Sequence, residues 1–321
     1  MPRSAAAAAG RGRVPLEGGI DVMQYSVSLP RANASAEFSS PDGLGEIAQA
    51  LERAALDSCA LIDHPFPFLE DPRAGGQALD IFALAGFIAA ATDRLVIHLN
   101  LIVMGLRNPF LVARAVSTLD HLAKGRLLVG VGAGYMEREF GALGADYSHR
   151  VALVDEGVIA MKEAWSGEPV TLDGAGWTAR GNVMLPRPYT DPHPKLFRGG
   201  NTTAAMRSAV AHFDGWSPFE APSELARTAR TAAIGSRVAL AARVAKLREL
   251  ESRSGRSTDL LITLNKSDPT WLQAGSEAVR EEVGRLEEIG ISRLVVALPA
   301  SGMSEFIERV EGFATMVGLR P

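Results

Sequence analysis

Two glycine segments are the residues best suited to holding a phosphorylated ligand. Gly132, Ala133, Gly134 and Tyr135 follow the apolar run 127–131, and Gly199, Gly200, Asn201 and Thr202 follow Lys195-Leu196-Phe197-Arg198. Each reads as a strand running into a glycine turn and then a helix. Glycine lets backbone approach a ligand closely, and a helix N-terminus offers unpaired N–H groups at the positive end of its dipole. Asn201 is placed to cap the second helix, and Thr202 has a hydroxyl to spare. Arg198 has the fork geometry to grip a phosphate or carboxylate; the alternative is an internal salt bridge. Asp63-His64 closes the second strand pattern of the chain. Imidazole exchanges protons near neutral pH, and a neighbouring carboxylate can fix its tautomer. The alternative is a structural histidine bonded to Asp63.

Other polar residues carry weaker signals. Val96, His98 and Asn100 share one face of an alternating strand, which points His98 and Asn100 into a barrel. Phe66 and Phe68 follow His64 and read either as pocket or as core. Glu137 and Glu139 read as a solvated first helical turn. His149 and Arg150 precede a helix and give only a faint pocket signal. His121, His193 and His212 have no acidic or histidine neighbour at ligand spacing, so no metal site is expected. There is no GxSxG elbow of a serine hydrolase.

The elements that must position these groups alternate between strand and helix. Strand patterns fall at 22–29, 60–62, 95–103, 127–131, 196–198, 215–219, 260–265 and 294–298. Between them lie helical patterns. Ser40 and Asn108 are N-cap candidates with Pro41 and Pro109 behind them, and Ser276 is another cap. A helix after strand two shows Leu79, Phe82, Ala83, Gly86 and Phe87 on one stripe. A single helical stretch is expected from 223 to about 252. Eight strand–helix units predict a (β/α)₈ TIM barrel over 20–321. A doubly wound sheet is the alternative, but the first turn, 30–40, has no GxGxxG. Residues 168–194 are rich in Gly and Pro, contain Trp177, and read as an inserted lid that shapes the substrate pocket.

Composition sets outer limits. The chain has 321 residues, 47% hydrophobic and 22% charged, with a formal net charge of −4. That balance argues against a nucleic-acid binder. The single cysteine, Cys59, excludes an internal disulfide and fits a reducing, cytoplasmic setting. No apolar run approaches the roughly 20 residues of a membrane span. Residues 1–19 read as a flexible tail without the apolar core of a secretion signal, and either Met1 or Met23 is the start.

The ordered set of short motifs resembles the bacterial luciferase-like family of flavin- and deazaflavin-dependent oxidoreductases. The set is Asp63-His64, Arg107-Asn108-Pro109, Thr118-Leu119-Asp120, the run 125–134, Trp165-Ser166-Gly167-Glu168-Pro169-Val170, Gly199-Gly200-Asn201 and Phe213-Asp214-Gly215-Trp216. The resemblance spans about residues 23–318 and is nearest the subgroup using coenzyme F420. It implies a homodimer that moves hydride between a deazaflavin and a small organic substrate. The alternatives are an FMN-dependent monooxygenase fed by a separate reductase, and a flavin-binding barrel without turnover. It further implies His64 at the reactive ring edge, Phe68 as an aromatic wall, and a non-proline cis peptide at Asn100-Leu101 behind the cofactor. Tyr135 departs from the acid of the sugar-phosphate-oxidising relatives, which argues against that substrate. Arg198 departs from the apolar residue usual there.

Overall fold

The computed structural model describes residues 22–68, 78–256, 259–266 and 268–320. The expected tail, 1–19, lies outside them. In chain order the strands are β1 (Gln24–Ser28), β2 (Ser58–Leu61), β3 (Val96–Val103), β4 (Leu127–Gly132), β5 (Val170–Gly174), β6 (Trp177–Asn182), β7 (Lys195–Gly199), β8 (Gly215–Ser217), β9 (Leu261–Lys266) and β10 (Arg293–Ala297). Eight of them close a parallel barrel in the order β1-β10-β9-β8-β7-β4-β3-β2, as the alternation predicts. The helices are α1 (Pro41–Arg53), α2 (Ile81–Ala91), α3 (Pro109–Leu122), α4 (Glu137–Ala142), α5 (Ala152–Trp165), α6 (Thr203–His212), α7 (Ser223–Thr228), α8 (Arg237–Ser254), α9 (Ser276–Ile289) and α10 (Met303–Met316).

Strand alternation divides the core. Val27, Cys59, Leu61, Ile97, Leu99, Val129, Leu196, Ile262 and Val296 belong to the main core that strands and helices share. The other parity is more polar. Val96, Leu128 and Phe197 form a separate small cluster. Gln24, Ser26, Ser58, His98, Thr263 and Arg293 are buried at alternating positions of their strands. Arg293 donates to Ser58 Oγ at 2.8 Å and to Gln24 Oε1, satisfying part of a buried charge.

Local sequence explains most helix starts. Ser40 accepts from Gly43 N–H, and Asn108 from Phe110 N–H, each with proline next in line. Four local expectations fail. Asn201 does not cap α6; Thr202 does, accepting from Ala205 N–H at 3.1 Å. Gly275 precedes α9, and Ser276 is its first residue. The buried face of α2 is Ile81, Ala85, Ile88 and Ala89, whereas Leu79 and Phe87 are exposed. That helix is apolar all round, so periodicity does not single out the face. The stretch 223–252 is two helices, α7 and α8, separated at 229–236.

The insertion 168–194, read from the sequence as a lid, contacts the helix layer. Its hairpin, β5 and β6, sets Trp177 edge-on to Phe110 of α3 at 5.0 Å. Ala175 N–H donates to Glu156 of α5. The following segment runs along α3, where Arg114 donates to Leu185 O, Ser117 to Pro186 O, and Thr190 N–H to Asp120. It is a strap across α3 and α5.

His98 is fully buried, and neither ring nitrogen has a partner among the described residues. Burial pushes its pKa down from 6.5 to about 3, with Arg293 adding to the shift. Below 6.5 the unfolded chain binds a proton that the folded chain refuses, so stability falls as pH drops from 6.5 toward 3. The slope contributed by one group is at most about 1.4 kcal/mol per pH unit. His98→Leu should flatten that limb. Urea unfolding of both proteins between pH 7 and pH 4.5 checks this, and parallel curves would contradict it.

Candidate active site

The C-terminal ends of the barrel strands meet at a floor built on a bulge in β3. Pairing with β4 shifts register between Leu99 and Ile102, and the Asn100–Leu101 peptide is cis. The half-buried Leu101 side chain lies against glycine backbone on two neighbouring strands. A Cβ added at Gly132 or Gly199 would overlap Leu101, and one at Gly130 would sit 2.8 Å from Leu99 O. These glycines therefore accommodate a side chain, whereas the sequence suggested room for a ligand. Beside Leu101, Asn100 Nδ2 donates to Asn265 Oδ1 at 2.6 Å, and Asn265 Nδ2 donates to Ser217 Oγ at 2.9 Å. An apolar plate edged by amides can receive a flat ring with polar edges.

Asp63 holds the bulge. Its carboxylate takes a bidentate pair from Arg107, at 2.5 and 2.7 Å, and accepts Val103 N–H at 2.9 Å. Burial pushes this carboxyl above its usual range, and the Arg107 guanidinium opposes the shift. Asp63 is thus spent on β3 and the turn between β3 and α3, and His64 has a different partner.

That partner is Glu139. Its Oε2 lies 3.2 Å from His64 Nδ1, and its Oε1 accepts Phe66 N–H at 3.0 Å. Glu139 is 2% exposed, so the expected solvated first turn is wrong for this residue. A carboxylate only accepts, so Nδ1 carries the hydrogen and Nε2 is left to exchange a proton. Tyr135 stands edge-on to the His64 ring at 5.9 Å. Phe68 lies nearby in sequence and is covered by Arg138, 4.1 Å from its centroid.

The β7 corner is built differently from the expectation. Arg198 points into the helix layer, with Nε on Ser208 of α6, which in turn bonds Asp155 of α5. Burial pulls its pKa down to about 10. Among the described residues it makes no direct salt bridge, and its guanidinium is held by Ser208 Oγ and Gly199 O. Gly200 N–H donates to Ser217 O, and Asn201 N–H to Thr231 Oγ1. Asn201 is fully buried and bonds Phe219 and Ala232. Among the described residues, the N–H groups left open at this corner are those of Thr202, Thr203 and Ala204, in the first turn of α6.

The structure therefore brings His64, Tyr135 and Glu139 together, and separately Asn100, Leu101, Gly132 and Gly199. Gly134, at φ +75°, packs against Val103 and Phe140, and Ala133 is half-buried beside it. His98 lies two residues below Asn100 inside the barrel, and Trp177 lies on the outer strap, so neither lines a pocket with His64. Sequence reasoning missed Asn265, Ser217, Tyr147 and Arg230, which carry no local signal. Among the described residues no cluster of three or more metal-ligating side chains occurs.

A family model described as luciferase-like monooxygenase matches residues 23–256. Two relatives named F420-dependent glucose-6-phosphate dehydrogenase are each 30% identical. The one from Beutenbergia cavernae aligns over 88% of this chain and 87% of its own length. The one from Nakamurella multipartita aligns over 72% of this chain, which spans just under two thirds of that relative, 64%. Among solved structures, an F420-dependent secondary alcohol dehydrogenase with an F420-acetone adduct superposes with TM-score 0.69 at 20% identity, covering 92% of this chain and 98% of that one. The FMN-bound oxygenating constituent of 3,6-diketocamphane monooxygenase from Pseudomonas putida gives 0.71 at 15% identity, covering 92% and 98%. The barrel and the matched span agree: the chain belongs to the luciferase-like monooxygenase family.

Proposed function

We propose that this oxidoreductase uses coenzyme F420 and moves a hydride between the deazaflavin and a small organic substrate. The observation that carries the reading is the His64–Glu139 pair at a barrel-strand C-terminus, at the same end of the barrel as the Leu101 floor. The two relatives and the alcohol dehydrogenase neighbour support the choice of cofactor. The residues fit the group. Leu101 supplies an apolar plate, Asn100 and Asn265 supply amides at its edge, and the first turn of α6 supplies open N–H groups for a phosphate. The bound deazaflavin supplies the hydride chemistry.

The protein's own part is orientation and proton transfer. Glu139 fixes His64 as the Nδ1–H tautomer, so Nε2 can accept the hydroxyl proton of an alcohol or return it to a carbonyl oxygen. Tyr135 packs on that ring where an acid would stand in sugar-phosphate-oxidising relatives. The carboxylate here comes from the following helix and acts through the imidazole. That arrangement argues for a substrate other than a sugar phosphate. A homodimer belongs to this reading as well.

Three measurements test it. Calorimetric titration should show micromolar or tighter binding of F420 and weaker binding of FMN; the reverse order favours the monooxygenase reading. His64→Ala should lower turnover by about 10²–10⁴-fold while cofactor affinity, followed by fluorescence, stays within a few-fold. Glu139→Gln should cost less and shift the pH profile of turnover, because the imidazole remains but loses its anionic partner. Full turnover in His64→Ala would make the histidine structural. Asp63→Asn should act on the bulge instead. Breaking its buried pair with Arg107 should cost about 3 kcal/mol of stability, read by denaturant unfolding, and should leave the pH profile in place.

A further inference from the structure

Above the two glycine corners lies a cluster that the His64 site does not use. Tyr147 is half-buried, and its hydroxyl donates to Tyr135 O at 3.2 Å, anchoring it to the β4 corner. Two guanidinium groups sit on its one ring. Arg150 Cζ is 4.0 Å from the centroid and Arg230 Cζ is 5.0 Å. Their flanking residues tie the cluster to the other corner. Thr231, next to Arg230, accepts the N–H of Asn201, immediately before the first turn of α6.

The charges are held in place without being neutralised. Arg150 donates to Tyr147 O at 3.0 Å and pairs with no carboxylate among the described residues. Arg230 pairs with Glu137 at 3.0 Å, but both are more than half exposed, at 55% and 64%. Such an exposed pair is worth at most about 1 kcal/mol and exchanges readily for a better anion. The other nearby acid, Asp146, is engaged by His149 and Ser148. Stacking on an aromatic face fixes the plane of a guanidinium while leaving its edge N–H groups available. Arg230 also adopts φ +47°, a backbone conformation uncommon for a residue with a side chain.

We propose that Arg150 and Arg230, stacked on Tyr147, form a clamp for the anionic tail of the cofactor, its phosphate and the carboxylates beyond it. The phosphate meets the open N–H groups of Thr202–Ala204, and the tail runs out between the two arginines. This rests on the reading of the mouth as a phosphorylated deazaflavin site. The clamp is a binding device and takes no part in hydride or proton transfer.

The test compares the deazaflavin with and without its phosphate-bearing tail, by fluorescence titration of the whole chain. Arg150→Met and Arg230→Met keep the apolar stem and remove the charge. Each should weaken binding of the tailed cofactor by about 5–10-fold, and the double variant by about 10²-fold. Binding of the tail-less ring should change by less than about twofold, and raising salt should affect the double variant less than the wild type. Tyr147→Phe keeps the ring and should retain most of the affinity. Equal losses for both ligands, or no loss for either, overturn the clamp. If the wild type takes FMN and refuses F420, the cofactor reading fails while FMN against riboflavin still decides the clamp by the same ratios. If it takes no flavin of either kind, both fall.

Discussion

Leu101 sets the constraint that the mouth of the barrel obeys. A bulge in β3 brings its side chain against Gly132 and Gly199, where a Cβ on either neighbour would overlap it. Because β3 is displaced there, Asn100 reaches across to Asn265 on β9, and Val103 N–H reaches Asp63 at the end of β2. One irregularity thereby fixes side chains from β2, β3 and β9 and the backbone of β4 and β7. The buried Asp63–Arg107 pair holds the bulge from its other side.

Charge at the mouth is sorted by depth. Asp63 is committed to Arg107, Glu139 to His64, and Lys266 to Glu220. Arg198 lies deeper and turns away to Ser208. Inside the barrel, His98 stays neutral through desolvation. Buried charges without partners are too costly to keep, so the inner groups are paired or uncharged. The rim, around Arg150 and Arg230, has cations whose partners are weak enough to exchange. Depth thus separates the carboxylate-backed His64 from the exchangeable cations of the rim.

The barrel was legible because its signals are local. Short strand runs, proline at N1 and serine or asparagine at N-caps each depend on a few neighbours. The helix faces were less so: α2 is apolar on all sides, and only packing chooses Ile81 and Ile88 over Leu79 and Phe87. At the site, the strand C-termini pointed to His64 and to both glycine corners. The partners of those residues were not legible. Asp63 adjoins His64 in sequence, but adjacent residues on an extended chain point apart. Glu139 lies 75 positions away and reads as a surface acid until α4 folds back over β2. Arg198 alternates outward along β7, and a lone arginine carries no sign of which layer it faces.

The strap belongs to the outer layer. Residues 168–194 bond to α3 and α5, and Trp177 meets Phe110, so this insertion braces the outer layer. The groups that surround His64 come from two other places: residues 64–68 after β2 and residues 135–150 between β4 and α5. Tyr135 and Glu139 belong to the second. An acid at position 135 would stand at the strand end beside the imidazole. With tyrosine there, the carboxylate sits behind the ring on Nδ1, and Nε2 becomes the single atom of the pair that can trade a proton. On the proposed reading, that atom is the one an alcohol hydroxyl or a carbonyl oxygen would meet.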